Sequence, residues 1–296
     1  MKHLKTWLLG IPYELAFWEA SLSNRKTRND LFAFSRLGKE LKLDGFDAQK
    51  FLLSLPEPDK AEVLDVGCGM TFLPGDHINT DGGILPINIH YIDPLAGFYN
   101  DLAKKHGLNL PVVEMGMIEY LSAFFPNHKA SLIIIQNALD HCENPLKGII
   151  EAVNTLHIGG ILYLNHHPNE AEYENYRGFH KYNINVEDKK LVIWNKTSKR
   201  NVNKILSGFA DVSVCVCDGN PVAVITKKAE VPAEMLDKDG DIKRLGAALM
   251  EYTKEMLPMG KVIKYQMKLA YYRTAQRISK LFSWHTRQRI KKILKR

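Results

Sequence analysis

Residues able to bind or to move a proton stand at the ends of apolar runs along the middle of the chain. Asp65, Gly67 and Gly69 lie in AEVLDVGCGMT (61–71), Asp93 closes the run that begins at Ile87, Asp140 and His141 follow ASLIIIQ (130–136), and His166 and His167 follow the run 160–165. An apolar strand that breaks into two glycines separated by one residue gives a sharp turn that backbone and ligand can approach closely, because no Cβ intervenes. A plain strand-to-helix turn would use the same glycines. A dinucleotide site wants a third glycine to seat a pyrophosphate on a helix N-terminus, and Phe72 occupies that place. The turn therefore fits a nucleoside-like ligand without phosphates better than NAD.

Each polar candidate has two readings. Asp65 either touches ligand or only bonds loop amides, and Asp93 either accepts ligand hydroxyls or caps the helix after Pro94. Asn144 is the natural cap for a helix starting at Pro145, which leaves Asp140 and His141 for chemistry, with His141 as a base or an acceptor-positioning group. His166 and His167 alternate, so one faces the cleft and the other faces away. That pair with Glu170 and Glu172 raises a metal, but the sequence offers no third well-placed ligand and no metal ligand is assigned. His180 is read either as a lid residue or as an ordinary strand histidine.

The elements that must position these groups alternate. Strands are expected at 63–66, 87–92, 111–114, 130–136 and 160–165, with helices at 98–106, 118–125 and 146–156. Strands of continuous hydrophobicity separated by helices predict a parallel sheet covered on both faces. The crossover 72–86 carries Pro74, Gly75, Gly82, Gly83 and Pro86 and is expected to be short or loop-rich. From Pro168 the rhythm changes to an inserted hairpin over 168–200, strands 179–186 and 191–195, rich in Tyr173, Tyr176, Phe179, Tyr182 and Trp194. Such rings suit a sugar face, and a small hairpin core would use them equally. A helix at 202–209 and a closing antiparallel hairpin, 212–217 with 222–227, complete the sheet. Residues 1–60 read as an N-terminal helical cap around Leu15, Trp18, Ala20 and Leu22, residues 61–229 as the main domain, and 230–296 as a basic helical segment.

The chain has 296 residues, 45% hydrophobic and 25% charged, which is ordinary for a globular protein and excludes global disorder. Its net charge of +7 is localised: residues 261–296 hold 12 Lys or Arg and no acid, leaving 28 basic against 33 acidic residues elsewhere. An apolar stripe of Ile263, Met267, Ala270, Tyr271, Ile278, Leu281 and Phe282 is expected on that tail. The tail then fits an anionic membrane surface, RNA phosphates, or a helix packed on its own domain, with nucleic acid the less favoured partner. Cys68, Cys142, Cys215 and Cys217 form no C-x-x-C pair and read as free thiols; no secretion signal or spanning segment is expected, which points to a cytoplasmic protein, peripheral at the inner membrane face if the tail binds lipid.

The run VLDVGCGMT, with Asp93 ending the next strand and with NALDHCENPLKGIIEAVNTLHIGGILYL (137–164), resembles the class I S-adenosylmethionine-dependent methyltransferases over about residues 63–228. The segment around Trp18, NALDH, NEAE (169–172) and GFHKYN (178–183) look like a bacterial subgroup loosely associated with surface-polysaccharide biosynthesis. The resemblance implies an α/β, Rossmann-like fold with a seven-stranded, mostly parallel sheet closed by an antiparallel hairpin, S-adenosyl-L-methionine as cofactor, and methyl transfer to a glycan or glycolipid. It implies cofactor contacts from Asp65, Gly67, Cys68, Gly69, Asp93, Pro94, Met117, Ile118 and Asn137, with catalysis drawn from His141, Asp140, His167, His166 and His180. Met117 departs from the acidic residue that the family often places against the adenine amine. An RNA methyltransferase and a catalytically silent cofactor-binding scaffold are the rival readings, and the oligomeric state is left open.

Overall fold

The computed structural model describes residues 8, 10–126, 129–236 and 263–279, with side chains in the last segment for 265–274 only. Helices α1 (Ile11–Ser23), α2 (Arg25–Phe32) and α3 (Ala48–Leu53) precede the sheet. Strands β1 (Glu62–Val66), β4 (Asn88–Asp93), β5 (Glu114–Met115), β6 (Ala130–Gln136), β7 (Leu156–Asn165), β11 (Ala210–Cys217) and β12 (Asn220–Lys227) form one seven-stranded sheet in the order β11-β12-β7-β6-β1-β4-β5. Five neighbours, β7, β6, β1, β4 and β5, pair in parallel, and β12 runs antiparallel to both β7 and β11. This is the α/β, mostly parallel sheet with an antiparallel closing hairpin that the sequence predicts.

Burial explains the central strands. Leu64, Ile133 and Leu162 lie on one face, and Val63, Leu132, Ile134 and Tyr163 on the other, all with essentially no exposure. Two covered faces require continuous hydrophobicity, which is why these strands do not alternate with polar residues. Helices α4 (Ala96–Lys105), α5 (Leu121–Phe124) and α6 (Pro145–Thr155) lie between strands. Asn144 caps α6 through its side chain, accepting from the Lys147 amide at 3.2 Å.

The crossover 72–86 differs from expectation. It contains a hairpin, β2 (His77–Thr80) with β3 (Gly83–Pro86), turning at Asp81-Gly82. Its glycines and prolines are turn and edge residues of a short ribbon, and so few apolar residues gave no strand signal. The insertion also gains a strand: β8 (Asn183–Glu187), β9 (Lys190–Trp194) and β10 (Lys199–Asn201) make a separate three-stranded sheet, flanked by α7 (Glu170–Tyr173) and α8 (Val202–Leu206).

The helix α9 (Ile263–Ser279) packs on α1, and here the expected stripe is corrected. Tyr265 and Leu269 are the buried positions, while Met267 and Tyr271 are 68% and 62% exposed. Packing on α1 chose nearly the opposite face, about half a turn from the one that the apolar spacing marks, since each buried position stands two residues, about 200°, from an exposed one. Residues 280–296, with most of the tail's basic run, lie outside the described residues. Among the described residues no helix is long and apolar enough to cross a membrane.

α1 crosses the carboxyl end of the sheet, pinned by Glu19 to Lys105 at 2.9 Å and by a core of Leu15, Trp18, Met70, Tyr99 and Met117. Its N-cap, Gly10, touches the insertion so closely that a Cβ there would lie 2.4 Å from the Phe179 ring. Gly10→Ala should therefore cost about 1–3 kcal/mol of stability through overpacking. In a Phe179→Ala background the same change should cost nothing, and denaturant titration of the four proteins measures the coupling.

Candidate functional site

The turn after β1 is built by its glycines. Gly67 and Gly69 adopt φ of +74° and +54°, conformations that an L side chain resists. A Cβ on Gly67 would sit 2.4 Å from the Ala138 Cβ, and one on Gly69 would sit 3.0 Å from the Trp18 ring. The first glycine lets two strand ends meet, and the second lets α1 lie across the turn.

Asp93 ties this turn to the end of β4. One carboxylate oxygen accepts the Gly69 amide at 3.2 Å and the other the Leu95 amide at 2.8 Å. It thus closes the turn ahead of α4 and faces the glycine turn at once; the helix itself starts from Leu95 without a side-chain cap, so the capping reading of Asp93 is not met. The carboxyl is buried, which pushes its pKa up to about 7, with the two amides pulling the other way. Asp65 is also buried, its Oδ2 has no partner among the described residues, and burial with the neighbouring Asp93 raises it to about 8. Two acidic groups are therefore held short of cations at one strand edge. The Cys68 thiol is buried beside them and pushed up by that burial.

The other cofactor candidates split. Pro94 is half-buried at the β4 turn. Met117 and Ile118 are buried, Met117 in the core beneath α1 and Ile118 against Gly67 and Gly148. Asn137, at φ +52°, links strand ends, its amide donating to the Asn165 carbonyl at 2.8 Å and its Oδ1 accepting the His167 amide at 3.2 Å.

The catalytic candidates divide more sharply. His180 Nδ1 lies 2.6 Å from Asp140 Oδ2, and His141 Nε2 lies 3.2 Å from His180 Nδ1 and 3.5 Å from the same carboxylate oxygen. The main chain fixes this meeting, since the Lys181 amide donates to the Asp140 carbonyl at 3.0 Å. Burial works against the Asp140 charge, but His141 and His180 overcome it and hold the carboxyl below its usual range. His180 answers in the opposite sense: burial lowers it, and the Asp140 bond and charge raise it above a free imidazole.

His166 is buried, and burial drops its pKa to about 4, so it is neutral; neither ring nitrogen has a partner among the described residues. His167 does not join the group. It is exposed and its Nδ1 meets Asn220 Oδ1 at 3.1 Å, on the β11–β12 turn. The proposed partners Glu170 and Glu172 are not gathered with His166 and His167 as ligands; the described residues instead bring together Asp140, His141 and His180.

Sequence reasoning missed Glu119, a buried carboxylate whose Oε1 accepts the Glu143 and Asn144 amides at 2.8 and 3.3 Å and so fixes the loop bearing His141. Next to that loop lie two cavities, about 290 and 570 Å³, that share Glu143 and Tyr182. Tyr176, Phe179 and Lys196 line the smaller, and Ser198 and Arg200 the larger. Phe179 packs on His141 with ring centres 5.7 Å apart, so the smaller cavity adjoins the histidines. Trp194 is tied within the small sheet by Asn185, and Tyr173 is exposed.

No protein-family model and no curated protein matches the chain. Solved structures similar to it include an S-adenosylmethionine-dependent methyltransferase from Clostridium acetobutylicum, 12% identical over 61% of this chain and 90% of that one, TM-score 0.34. Another is an amino pentose methyltransferase of calicheamicin biosynthesis from Micromonospora echinaspora, with its cofactor bound, at 13% identity over 62% and 89%, TM-score 0.36. A third is the 16S rRNA N2 G1207 methyltransferase of T. thermophilus, at 13% over 66% of this chain and 42% of that one, TM-score 0.30. These likenesses leave the site's chemistry to be argued from the side chains.

The Asp65 environment makes a signed prediction. With a folded pKa near 8 and an unfolded one near 3.8, its stability contribution is full at low pH and is lost as pH rises through about 8. Asp65→Asn removes that loss. Relative to wild type, the variant should gain stability progressively from pH 4 to 8 and level off above, by more than about 1.4 kcal/mol, the worth of one pKa unit. Denaturant unfolding across pH measures it.

Proposed function

We propose that the protein is an S-adenosylmethionine-dependent methyltransferase acting on a hydroxyl oxygen of a glycan or glycolipid intermediate. The observation that carries the reading is the glycine turn held to a buried carboxylate, Gly69 N–H to Asp93 at 3.2 Å, at the carboxyl end of parallel strands. The residues present fit such a cofactor. Each Asp93 oxygen keeps a lone pair beyond its amide bond for a ribose hydroxyl, and Asp65 Oδ2 is an orphaned buried acceptor at the same edge. A phosphate would meet two carboxylates here, whereas a phosphate-free nucleoside bearing a positive charge meets complementary groups.

When bound, the cofactor would supply an electrophilic methyl, whose carbon–sulfur bond would break, with the pair left on sulfur, as the acceptor oxygen bonds to carbon. The acceptor oxygen must then lose a proton. Asp140, His180 and His141 stand on the same sheet edge to receive it, the carboxylate orienting the imidazoles and favouring the protonated form of His180. Glu119 and the Lys181 amide keep that group in place, which is what positional catalysis requires. Aromatic rings beside cations along the adjoining cavities, Tyr176 with Lys196 at 4.4 Å, support a sugar bearing anionic groups as acceptor. The basic run of 261–296 supports a membrane-bound acceptor at the cytoplasmic face on its charge alone.

S-adenosylmethionine should bind in calorimetry, and Asp93→Ala should weaken it at least about tenfold, or ~1.4 kcal/mol. Because hydroxyls donate to the ionised carboxyl, whose burial raises it to about 7, affinity should rise between pH 6 and 8 with release of a proton. Absence of binding by wild type removes the proposal. A labelled-methyl screen of membrane glycolipids, soluble sugars and total RNA identifies the acceptor; transfer to RNA alone rejects the glycan.

A further inference from the structure

We infer that Asp140, His141 and His180 form a binding site for a single borderline divalent cation of the zinc, cobalt or iron class. The inference stands on geometry. The three ligand atoms, Asp140 Oδ2, His141 Nε2 and His180 Nδ1, are separated by 2.6, 3.2 and 3.5 Å. Metal–ligand bonds of about 2.1 Å place neighbouring ligands about 3.0 Å apart in an octahedron and about 3.4 Å apart in a tetrahedron. The 3.2 and 3.5 Å separations fall near that range, and the third, at 2.6 Å, is the length of a charge-assisted hydrogen bond that an ion would open by about 0.4 Å.

Proton counting is consistent with an ion. A neutral His180 carries at most one hydrogen on Nδ1, and that atom faces both the Asp140 carboxylate and the His141 nitrogen. With that hydrogen directed at the carboxylate, a second one is carried by His141 Nε2, 3.5 Å from the same oxygen, so two protons and one cation are alternative occupants of the triangle. An ion at the centre replaces both hydrogens with three lone-pair donations. Asp140 is 2% exposed and its Oδ1 has no partner among the described residues, so the carboxylate has a second oxygen for the ion or for a water on it. The buried, neutral His166 stands within the electrostatic reach of Asp140, with both ring nitrogens available to such a water.

The frame is rigid before any ion arrives. Asp140 and His141 share one turn of 3₁₀-helix, and the Lys181 amide on the Asp140 carbonyl fixes the neighbouring His180. Two imidazoles with one carboxylate select borderline first-row ions over magnesium or calcium, which want oxygen. Three protein ligands leave positions open, as a working metal centre needs. The role of the ion, though not the site itself, rests on the proposed methyl transfer. With the ion bound, the three side chains serve as ligands in place of proton acceptors: an acceptor hydroxyl in an open position is acidified by the ion, gives its proton to solvent water, and keeps the electron pair for attack on the methyl carbon. Neighbouring sugar hydroxyls suit two open positions at once.

The test uses full-length protein without a histidine tag, stripped with chelator and titrated calorimetrically with Zn²⁺, Mn²⁺ and Co²⁺. One equivalent of Zn²⁺ or Co²⁺ should bind, with Co²⁺ developing visible ligand-field absorption. Asp140→Ala and His180→Ala should each weaken binding at least a hundredfold, and the remote His157→Ala should not. His141→Gln, which keeps the side chain's bulk, serves if either alanine variant fails to fold by circular dichroism. Absence of stoichiometric binding, or equal binding by the variants and wild type, overturns the site. S-adenosylmethionine titrated into the same stripped protein separates the two ideas: cofactor binding without metal binding sinks only the ion, and the converse sinks only the methyltransferase reading.

Discussion

Burial of the Asp93 carboxylate among main-chain amides, without a cation, is the constraint on which the carboxyl edge of the sheet depends. A buried carboxyl costs free energy unless hydrogen bonds replace water, and Gly69 and Leu95 replace it only in part. The amides it recruits come from the turn after β1 and the turn after β4, so one side chain fixes the relative height of both. Gly67 can then press against Ala138 at the end of β6, and Asn137 links β6 to β7. Four strand ends are thereby set at one level, and the groups they carry face a common edge.

The two halves of that edge are electrostatically opposite. Among the described residues Asp65 and Asp93 have no basic partner, and they are pushed towards neutrality, while Asp140 has two imidazoles and is held ionised. Carboxyl groups in one protein thus differ in charge state at neutral pH by environment alone. The first half is costly when empty and relieved by any hydroxyl donor or positive charge; the second has paid that cost internally. Helix α1 spans both, with Trp18 over Gly69 and Gly10 against Phe179, so the halves share one lid of fixed length.

Local physics made the sheet readable. Strands buried on both faces must be apolar throughout, and ASLIIIQ maps to β6 residue for residue. Asn144 at its cap position, the glycine turn and the closing hairpin follow equally from rules that act over a few residues. What escaped the sequence depends on contacts between distant segments. Nothing local says that Asp140 meets His180, because their meeting is made by an insertion folding back through the Lys181 amide. The absence of a third metal ligand next to His166 and His167 was a statement about neighbours in sequence, and the gathered ligands come from two loops. The hairpin β2–β3 escaped because glycine and proline mark turns without marking the short strands between them, and the α9 face because α1, not the helix's own spacing, decides what it buries.

Separation of charge along the edge has a consequence for the order of events in the proposed transfer. In that proposal, a cofactor that carries a positive charge favours ionisation of Asp65 and Asp93, and a product that has lost it does so less, through its hydroxyls on Asp93 alone. The same two carboxyls therefore hold substrate more strongly than product, at a pH near their own pKa values, without any movement of the chain. Asp140 contributes nothing to this discrimination, since its charge is already fixed by His141 and His180. Separate groups can in this way control release at one end and acceptor activation at the other. Had the histidines stood beside Asp93, their charge would oppose a cationic cofactor and fix its carboxylate in both states, and the distinction between substrate and product would vanish.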